Sequence, residues 1–508
     1  MGASITGQGE GAEPGPLPAA LVDEGFVRVP PSTVTTTVLD TFDGRLHAAE
    51  LRLERRGDVL VLGGDHAVTA QVPVSATPRF PTELAPGPFR NRLAELVDIR
   101  ALLPLITVTS RRSPYVRRNG QGKIVASAVI HERVSTPLGP IDGWFVEVDQ
   151  PTGYEKQAAE LLELVRSCGV RPLDDGAGIV DLAMTRAGVD PAGHRGDPSV
   201  PLDGELPALD GFRLVLDNLR HAMVDNRPGT IDDIDPEFLH DFRVAVRRTR
   251  SVLGHAKHVL PADVLDWSRD GFRALGQVTG PARDLDVYVL EWDRYVAALA
   301  PETVAALDPV RRQLEADRDA AHGELAAALR SSATTDLLER WRSWLAEPPA
   351  ATEGGPHGER PVGAVVTRRI VKAQDRLLQQ GRAITPETPA DDVHELRKDA
   401  KKLRYLLECF GGLLRPGERK AFVKRLKELQ DNLGEHQDAA VHVEQLREVA
   451  GELPTGVPAT TFVAIGQLIE QLDRRRQAAR DEFAERFTRY DSAATHQAFD
   501  VMLAGADR

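Results

Sequence analysis

LHDFRVAVRRTRSVL, residues 239–253, places four arginines within eight positions, and the pattern returns as VHELRKDAKKLRYLL at 393–407. Both stand in a chain of formal net charge −13 and sequence pI about 5.6. On a helix at about 100° per residue, with His240 at zero, Arg247, Arg243 and Arg250 fall at about −20°, −60° and −80°, and Arg248 at about +80°. Leu239, Phe242, Ala245, Val246, Val252 and Leu253 occupy the opposite side. One side therefore packs, and the other is a cationic stripe. In the second segment His394, Arg397, Lys401 and Arg404 form the stripe, with Lys402 beside Lys401. Val393, Leu396, Ala400, Leu403, Leu406 and Leu407 form its apolar side.

The two segments share a register. A shift of 154 positions superposes His240 on His394, Arg243 on Arg397, Arg247 on Lys401, Arg248 on Lys402 and Arg250 on Arg404. Without a gap it also lays LGQVTGPARDLDV (275–287) on LQDNLGEHQDAAV (429–441), matching Gly280 to Gly434 and Asp284 to Asp438. One register held over roughly fifty residues implies a duplicated helical unit, hence two four-helix bundles about a pseudo-twofold axis. The next helix of the second unit, RPGERKAFVKRLKEL (415–429), adds Lys420, Lys424 and Lys427 along one line. In the first unit Arg273 matches Lys427, but Asp266 stands opposite Lys420. The second unit is therefore expected to be the stronger anion site.

The remainder bounds the protein. A chain of 508 residues exceeds one ordinary core. No apolar run approaches the ~18 residues of a membrane span. The opening MGASITGQGEGAEPGPLPAA lacks the basic start and apolar stretch of a secretion signal. Cys168 and Cys409 make neither a disulfide framework nor a metal cluster. A cytoplasmic protein is expected. Its acidity excludes general attraction to nucleic acid or anionic lipid, so any anion site is local.

Residues 1–20, rich in Gly and Pro, are expected to be disordered. Over 21–185, short runs such as TVTTTVLD, VLVLGG, ASAVIHERV and WFVEVD between turn residues predict a β-rich domain. Residues 186–207 read as a linker and 208–500 as helical, with a second weak stretch at 347–361 dividing repeats of about 208–345 and 362–500. The expected fold class is α+β multidomain: an N-terminal antiparallel β domain, then an all-α domain of two duplicated four-helix bundles.

Solvated helix faces usually mix signs in i,i+4 acid–base pairs. Here Asp241, Glu395 and Asp399 are the nearby acids, and none lies at the centre of a stripe. Like charges at this spacing repel, and a repulsion duplicated at the same positions implies an anionic partner. Side chains at i, i+3, i+7 and i+10 mark a line of about 15 Å, suited to an extended polyanion. Arginine offers paired donors to phosphate oxygens and lysine a mobile charge. There is no glycine-rich phosphate loop, and no aromatics alternate with the cations as stacking on bases requires. Tyr405 is placed at the core boundary.

The duplicated His-x-x-Arg-x-x-x-basic-basic-x-Arg helices and the ARDLDV segment resemble the CHAD domain, the conserved-histidine α-helical domain. The resemblance spans about 205–500 and implies two four-helix bundles around a basic cavity that binds inorganic polyphosphate, often at polyphosphate granules. It assigns binding to His240, Arg243, Arg247, Arg248, Arg250, His394, Arg397, Lys401, Lys402 and Arg404; helical spacing adds Arg273, Lys420, Lys424 and Lys427. The histidines have three readings: metal ligand, structural group near a helix start, or phosphate donor. No further ligand lies at metal spacing beside either one. As donors they would bind phosphate better as pH falls.

The front half, TVLDTFDGRLHAAELRLERRGD (37–58), resembles the CYTH or triphosphate-tunnel family. That resemblance implies a β-barrel lined by Arg and Lys, with acidic groups holding Mg²⁺ or Mn²⁺, and triphosphatase or nucleotidyl cyclase activity. Arg52 takes one tunnel position, Glu54 stands where a second arginine is expected, and Glu147 with Asp149 keeps an acidic pair. The family's opening Glu-x-Glu-x-Lys strand is absent, DEGFVRVP being the nearest stretch. An incomplete, tunnel-like barrel that docks or positions is expected, with residual Mg²⁺- or Mn²⁺-dependent triphosphatase or cyclase activity as the alternative. The expected partner is inorganic polyphosphate, with no membrane or specific nucleic acid and no resident cofactor.

Overall fold

Short β-branched runs in the first third of the chain pair into one antiparallel sheet. The computed structural model describes residues 4–504 apart from 12, 65–66, 150, 174–177, 195, 197 and 347–353. It divides into two compact units, Met1–Arg195 and Gly196–Arg508. The strands are β1 (Ser4–Gly9), β2 (Val27–Arg28), β3 (Ser32–Asp40), β4 (Arg52–Arg56), β5 (Val59–Gly64), β6 (Ala67–Pro73), β7 (Leu103–Arg118), β8 (Ile124–Thr136), β9 (Gly139–Pro140), β10 (Trp144–Asp149) and β11 (Arg171–Pro172). Their order is β11-β1-β10-β8-β7-β3-β4-β5-β6, with β2 on β7 and β9 on β8, so the sheet is not closed. Helices α1 (Leu17–Asp23) and α4 (Glu155–Ser167) cover β8 and β10 on one side. Helices α2 (Arg45–Ala48) and α3 (Pro88–Val97) pack on β3–β5, and α5 (Ile179–Ala187) on Val38, Ile106, Val108 and Phe145.

Two expectations for this unit are corrected. Residues 4–11 and 13–20, expected to be disordered, are built into the fold: β1 pairs with β10 and β11, and Leu17 and Leu21 are fully buried. The glycines that suggested disorder permit close approach instead. A Cβ on Gly9 would lie 2.1 Å from the Trp144 ring, and one on Gly7 2.5 Å from Val170. The first strand is therefore SITGQG, not DEGFVRVP. The front of the 186–207 stretch is likewise ordered, His194 stacking on Phe42 at 4.6 Å.

The C-terminal unit is helical: α6 (Ala208–Ile231), α7 (Pro236–His255), α8 (Ala262–Val278), α9 (Gly280–Leu290), α10 (Trp292–Val296), α11 (Pro301–Ala306), α12 (Asp308–Arg330), α13 (Ser332–Ala346), α14 (Val362–Arg382), α15 (Ala390–Cys409), α16 (Pro416–Glu452), α17 (Ala459–Tyr490) and α18 (Ala493–Leu503). Helices α14, α15 and α16 begin 154 residues after α6, α7 and α8. The main difference between the halves has a local cause. Pro281 has no N–H to give residue 277, and the first repeat breaks into α8 and α9, whereas Glu435 lets α16 run on.

The pseudo-twofold relation is visible in the backbone. Ala208 N donates to Arg360 O and Val362 N to Leu206 O, each at 2.8 Å, so each repeat satisfies the other's first helical N–H. Residues 354–361 of the expected linker are thus part of the fold; 347–353 lie outside the described residues. The apolar sides of α7 and α15 are buried at every expected position. They enter one core with α6, α8, α14 and α16, so the two four-helix sets share their interior. A second core joins α9–α12 to α16 and α17, where Tyr288 stacks on its repeat counterpart His442 with centroids 4.5 Å apart. No helix among the described residues is long and apolar enough to cross a membrane.

Candidate anion-binding site

Helix α7 starts at Asp235, whose carboxylate accepts from the Glu237 and Phe238 amides. It packs on α15 through the buried faces, which turns the two cationic stripes toward common ground. Arg243 Nη1 donates to Gly276 O at 3.4 Å and Thr279 Oγ1 at 3.3 Å, and Nη2 lies 3.7 Å from Asp284. At the duplicated position Arg397 Nη2 donates to Asp438 at 2.8 Å. The duplicated Gly-x-x-x-Asp lies against both arginines, the glycines at ordinary contact distance. A Cβ on Gly280 would stand 3.4 Å from Arg243 Nη1, and one on Gly434 3.8 Å from Arg397 Nη2. The aspartate one turn on shares that face.

Between these pairs the repeats meet. Tyr405, 5% exposed, has Arg247 Cζ 5.9 Å and Arg404 Cζ 5.6 Å from its ring centroid. Lys401, the counterpart of Arg247, is half-buried, and its pKa is pushed down to about 7. Burial is the main cause; Arg247, Arg397 and Arg404 add to it and Asp438 opposes. Burial, then Arg273 and Arg247, lowers Arg250; burial, with Arg247 and Arg283, lowers Arg243 against the pull of Asp284. Asp284 is raised by burial and by Asp438, so the duplicated aspartates also feel each other. Among the described residues Arg247, Arg250 and Lys401 have no carboxylate within ion-pairing distance. Arg247 and Lys401 are half out of water, Arg250 is exposed, and all three are short of counter-charge.

Residues 214–447, which contain both stripes, match the family model of the CHAD domain. This segment is a CHAD domain. The chain is 25% identical over 410 residues to the uncharacterized proteins MT2285 and Rv2226 of Mycobacterium tuberculosis strains CDC 1551 / Oshkosh and H37Rv, covering 77% of this chain and 75% of each relative. A crystal structure of the CHAD domain from the plant Ricinus communis aligns with 27% identity and TM-score 0.48, over 57% of this chain and 94% of that one. PptA from Streptomyces chartreusis aligns with 18% identity and TM-score 0.42, over 55% of this chain and 99% of that one.

Within the CHAD domain the structure sorts the expected residues. It gathers Arg243, Arg247, Arg250 and Arg273 with Arg397, Lys401 and Arg404. His240 and His394 sit half-buried on the same helices, and His394 Nδ1 is buried with no hydrogen-bond partner among the described residues. Arg273 is exposed and pairs with Asp270 at 3.0 Å. Lys420, Lys424 and Lys427 are exposed along α16 and make no ion pair among the described residues. Arg248 and Lys402 go elsewhere. Arg248 donates to Glu408 at 2.8 Å beside buried Cys409, while Lys402 donates to Asp399 at 2.7 Å. Lys402 also acts on His255, which burial, Arg369 and Lys402 together push down to about 4. Each thus lies near the C-terminal end of the other repeat's motif helix; Arg248 bridges α7 to α15, while Lys402 pairs within α15. Their flank of the wheel, away from Arg243 and Arg250, is the reason.

Sequence reading missed three contributors: Arg283, which acts on Arg243 and Asp284; buried Tyr405; and Glu408, which lies 3.3 Å from Arg404 while holding Arg248. The duplicated Gly-x-x-x-Asp was visible, but its pairing with Arg243 and Arg397 needed the fold.

In the N-terminal unit Arg52, Glu147 and Asp149 are not one constellation. Arg52 is held by Asp181 of α5, and Asp149 accepts from Ser127 at 2.8 Å. Glu147 lies 3.2 Å from His131 Nε2, and Ser110 Oγ lies 3.1 Å from His131 Nδ1. Burial works against the Glu147 charge, but His131, Arg112 and Arg56 together hold its carboxyl below the usual range. Arg56 belongs to β4, with three strands between it and β10, so the sheet curls. Among the described residues no group of three or more His, Cys, Asp or Glu is placed to hold a metal ion.

Proposed function

We propose that the CHAD domain binds inorganic polyphosphate in the basic cluster shared by α7 and α15. CHAD domains are associated with polyphosphate binding or metabolism. The observation that carries the reading is the meeting of Arg247 and Lys401, equivalent positions of the two repeats, with no carboxylate within ion-pairing distance of either among the described residues. A chain of phosphates has the repeating charge to satisfy Arg243, Arg247 and Arg250 on one side and Arg397, Lys401 and Arg404 on the other. His240 and His394 are assigned as donors, and Lys420, Lys424 and Lys427 as an outer track for longer chains.

The experiment is a titration of the full chain with polyphosphate of defined lengths at two ionic strengths. Binding is expected to weaken with salt, each neutralised phosphate contributing a log–log slope of about −0.7 to −0.9 by analogy with nucleic acid. Long polyphosphate should outcompete poly-glutamate; equal competition would point to an acidic protein tail instead. For the N-terminal unit we propose a degenerate tunnel-like sheet without turnover, because Arg52, Arg56 and Glu147 are engaged by Asp181, Glu54 and His131. Its place in the cell is proposed to be the cytoplasm, at polyphosphate granules.

A further inference from the structure

The two central cations of the site are not chemically equal. Position 247 carries a guanidinium, whereas its counterpart Lys401 is an amine, which can lose a proton when buried. Lys401 is half-buried and, among the described residues, lacks an ion pair. Its charged surroundings come from each neighbouring side. Arg397 and Arg404 flank it on α15, Arg247 faces it from α7, and Asp438 answers from α16. Arg397 already engages Asp438 at 2.8 Å. On the α14 side, Arg376 is taken by Asp399 at 2.6 Å, the carboxylate that also accepts from Lys402. Three guanidiniums and one shared carboxylate therefore surround one amine.

Resting on the polyphosphate reading, we infer that Lys401, half-buried among three guanidiniums and without an ion pair among the described residues, makes the proton a second ligand of this site, taken up as the polyanion binds. Phosphate oxygens supply the counter-charge the protein withholds, and the amine takes a proton from solvent as they arrive. The asymmetry follows from the duplication, one repeat keeping a permanent cation at the centre and the other a titratable one.

The sign is definite. In the free protein the Lys401 pKa is about 7. Bound phosphate raises it toward the ordinary lysine value. Proton uptake is thus confined to the window above the free pKa and below the bound one. Lys401 should take up close to one proton at pH 8 and about a tenth of one at pH 6, and through it affinity should fall by up to about tenfold per pH unit across the window.

The test is calorimetric titration of the full chain with polyphosphate of one defined length, in buffers of differing ionisation enthalpy, at pH 6 and 8. The slope of observed heat against buffer enthalpy counts protons. Wild type should take up close to one at pH 8. Lys401→Arg should take up close to one proton fewer than wild type at pH 8, any uptake by His240 and His394 being common to both, and vary less than threefold in affinity between pH 8 and 9. Binding without uptake in wild type at pH 8, or an uptake at pH 8 that is the same in Lys401→Arg, would overturn the inference while leaving polyphosphate binding intact. Absence of saturable binding at both pH values would overturn the functional reading and this inference with it.

Discussion

Adjacent arginines on one helix, Arg247 and Arg248, should separate binding from stability. Arg247 lies in the shared cluster without a carboxylate partner among the described residues, while Arg248 is 18% exposed and bound to Glu408, itself 22% exposed. A hydrogen bond to a charged group contributes about 1.5–3 kcal/mol, so Arg247→Ala should weaken polyphosphate binding roughly 10- to 150-fold. It should also flatten the salt dependence by about 0.7–0.9 in log–log slope, the share of one phosphate. Arg248→Ala should leave that slope alone. It breaks a mostly buried cross-repeat pair, worth roughly 1–3 kcal/mol between the exposed and fully buried limits. The melting temperature should fall by roughly 2–8 °C for a unit of this size. The assays are fluorescence anisotropy with labelled polyphosphate at several salt concentrations and thermal unfolding of the same samples. A slope lowered equally by both substitutions, or unmoved by Arg247→Ala, would refute the assignment of the two flanks.

Other substitutions probe the remaining parts. Glu408→Gln removes a carboxylate from beside Arg404 and should tighten polyphosphate binding several-fold while lowering the melting temperature; weaker binding would mean that Glu408 positions Arg404 productively. Because phosphate favours the charged imidazole, the His240→Gln/His394→Gln double variant should lose more affinity at pH 6 than at pH 8, and a loss equal at both would make the histidines structural. Gly9→Val should destabilise the N-terminal unit, since even a Cβ would stand 2.1 Å from Trp144; limited proteolysis reads the loss. Tripolyphosphate or ATP incubated with Mg²⁺ or Mn²⁺ should release no phosphate above background, and metal-dependent release abolished by Arg52→Ala would establish an enzyme in the N-terminal unit.

The helical half was legible because its periodicity and its duplication agree. Every apolar position assigned to α7 and α15 is buried, and the 154-residue shift that aligns the stripes also aligns the helix starts. What stayed hidden depends on partners distant in sequence. Arg248 looks like Arg247 until Glu408, from the other repeat, supplies a carboxylate at 2.8 Å. Tyr405 was placed at a boundary from its angle on the helix, and its contact with Arg247 of the other repeat, alongside Arg404, needed the fold. In the sheet, glycine was ambiguous. The same residues that favour disorder in an isolated segment are required where a strand closes on Trp144, and composition does not distinguish the two cases.

The internal carboxylates explain how an acidic protein keeps such a site. Bringing two cationic ridges together removes water from between them, which strengthens attraction for an anion but equally strengthens repulsion among the guanidiniums. Asp284 and Asp438 answer that repulsion at the flanks, each paired with the first arginine of its ridge, while the centre at Arg247 and Lys401 stays uncompensated. Both aspartates are more than half exposed, so they neutralise the arginines without filling the space between the ridges. The net charge of −13 acts in the same direction. It disfavours general association with polyanions, so on the proposed function only one that contacts the centre at Arg247 and Lys401 should gain enough to bind. Replacing Asp284 and Asp438 together with Asn should therefore raise affinity for polyphosphate, yet raise affinity for nucleic acid proportionally more, and the measured ratio of the two is the quantity that decides it.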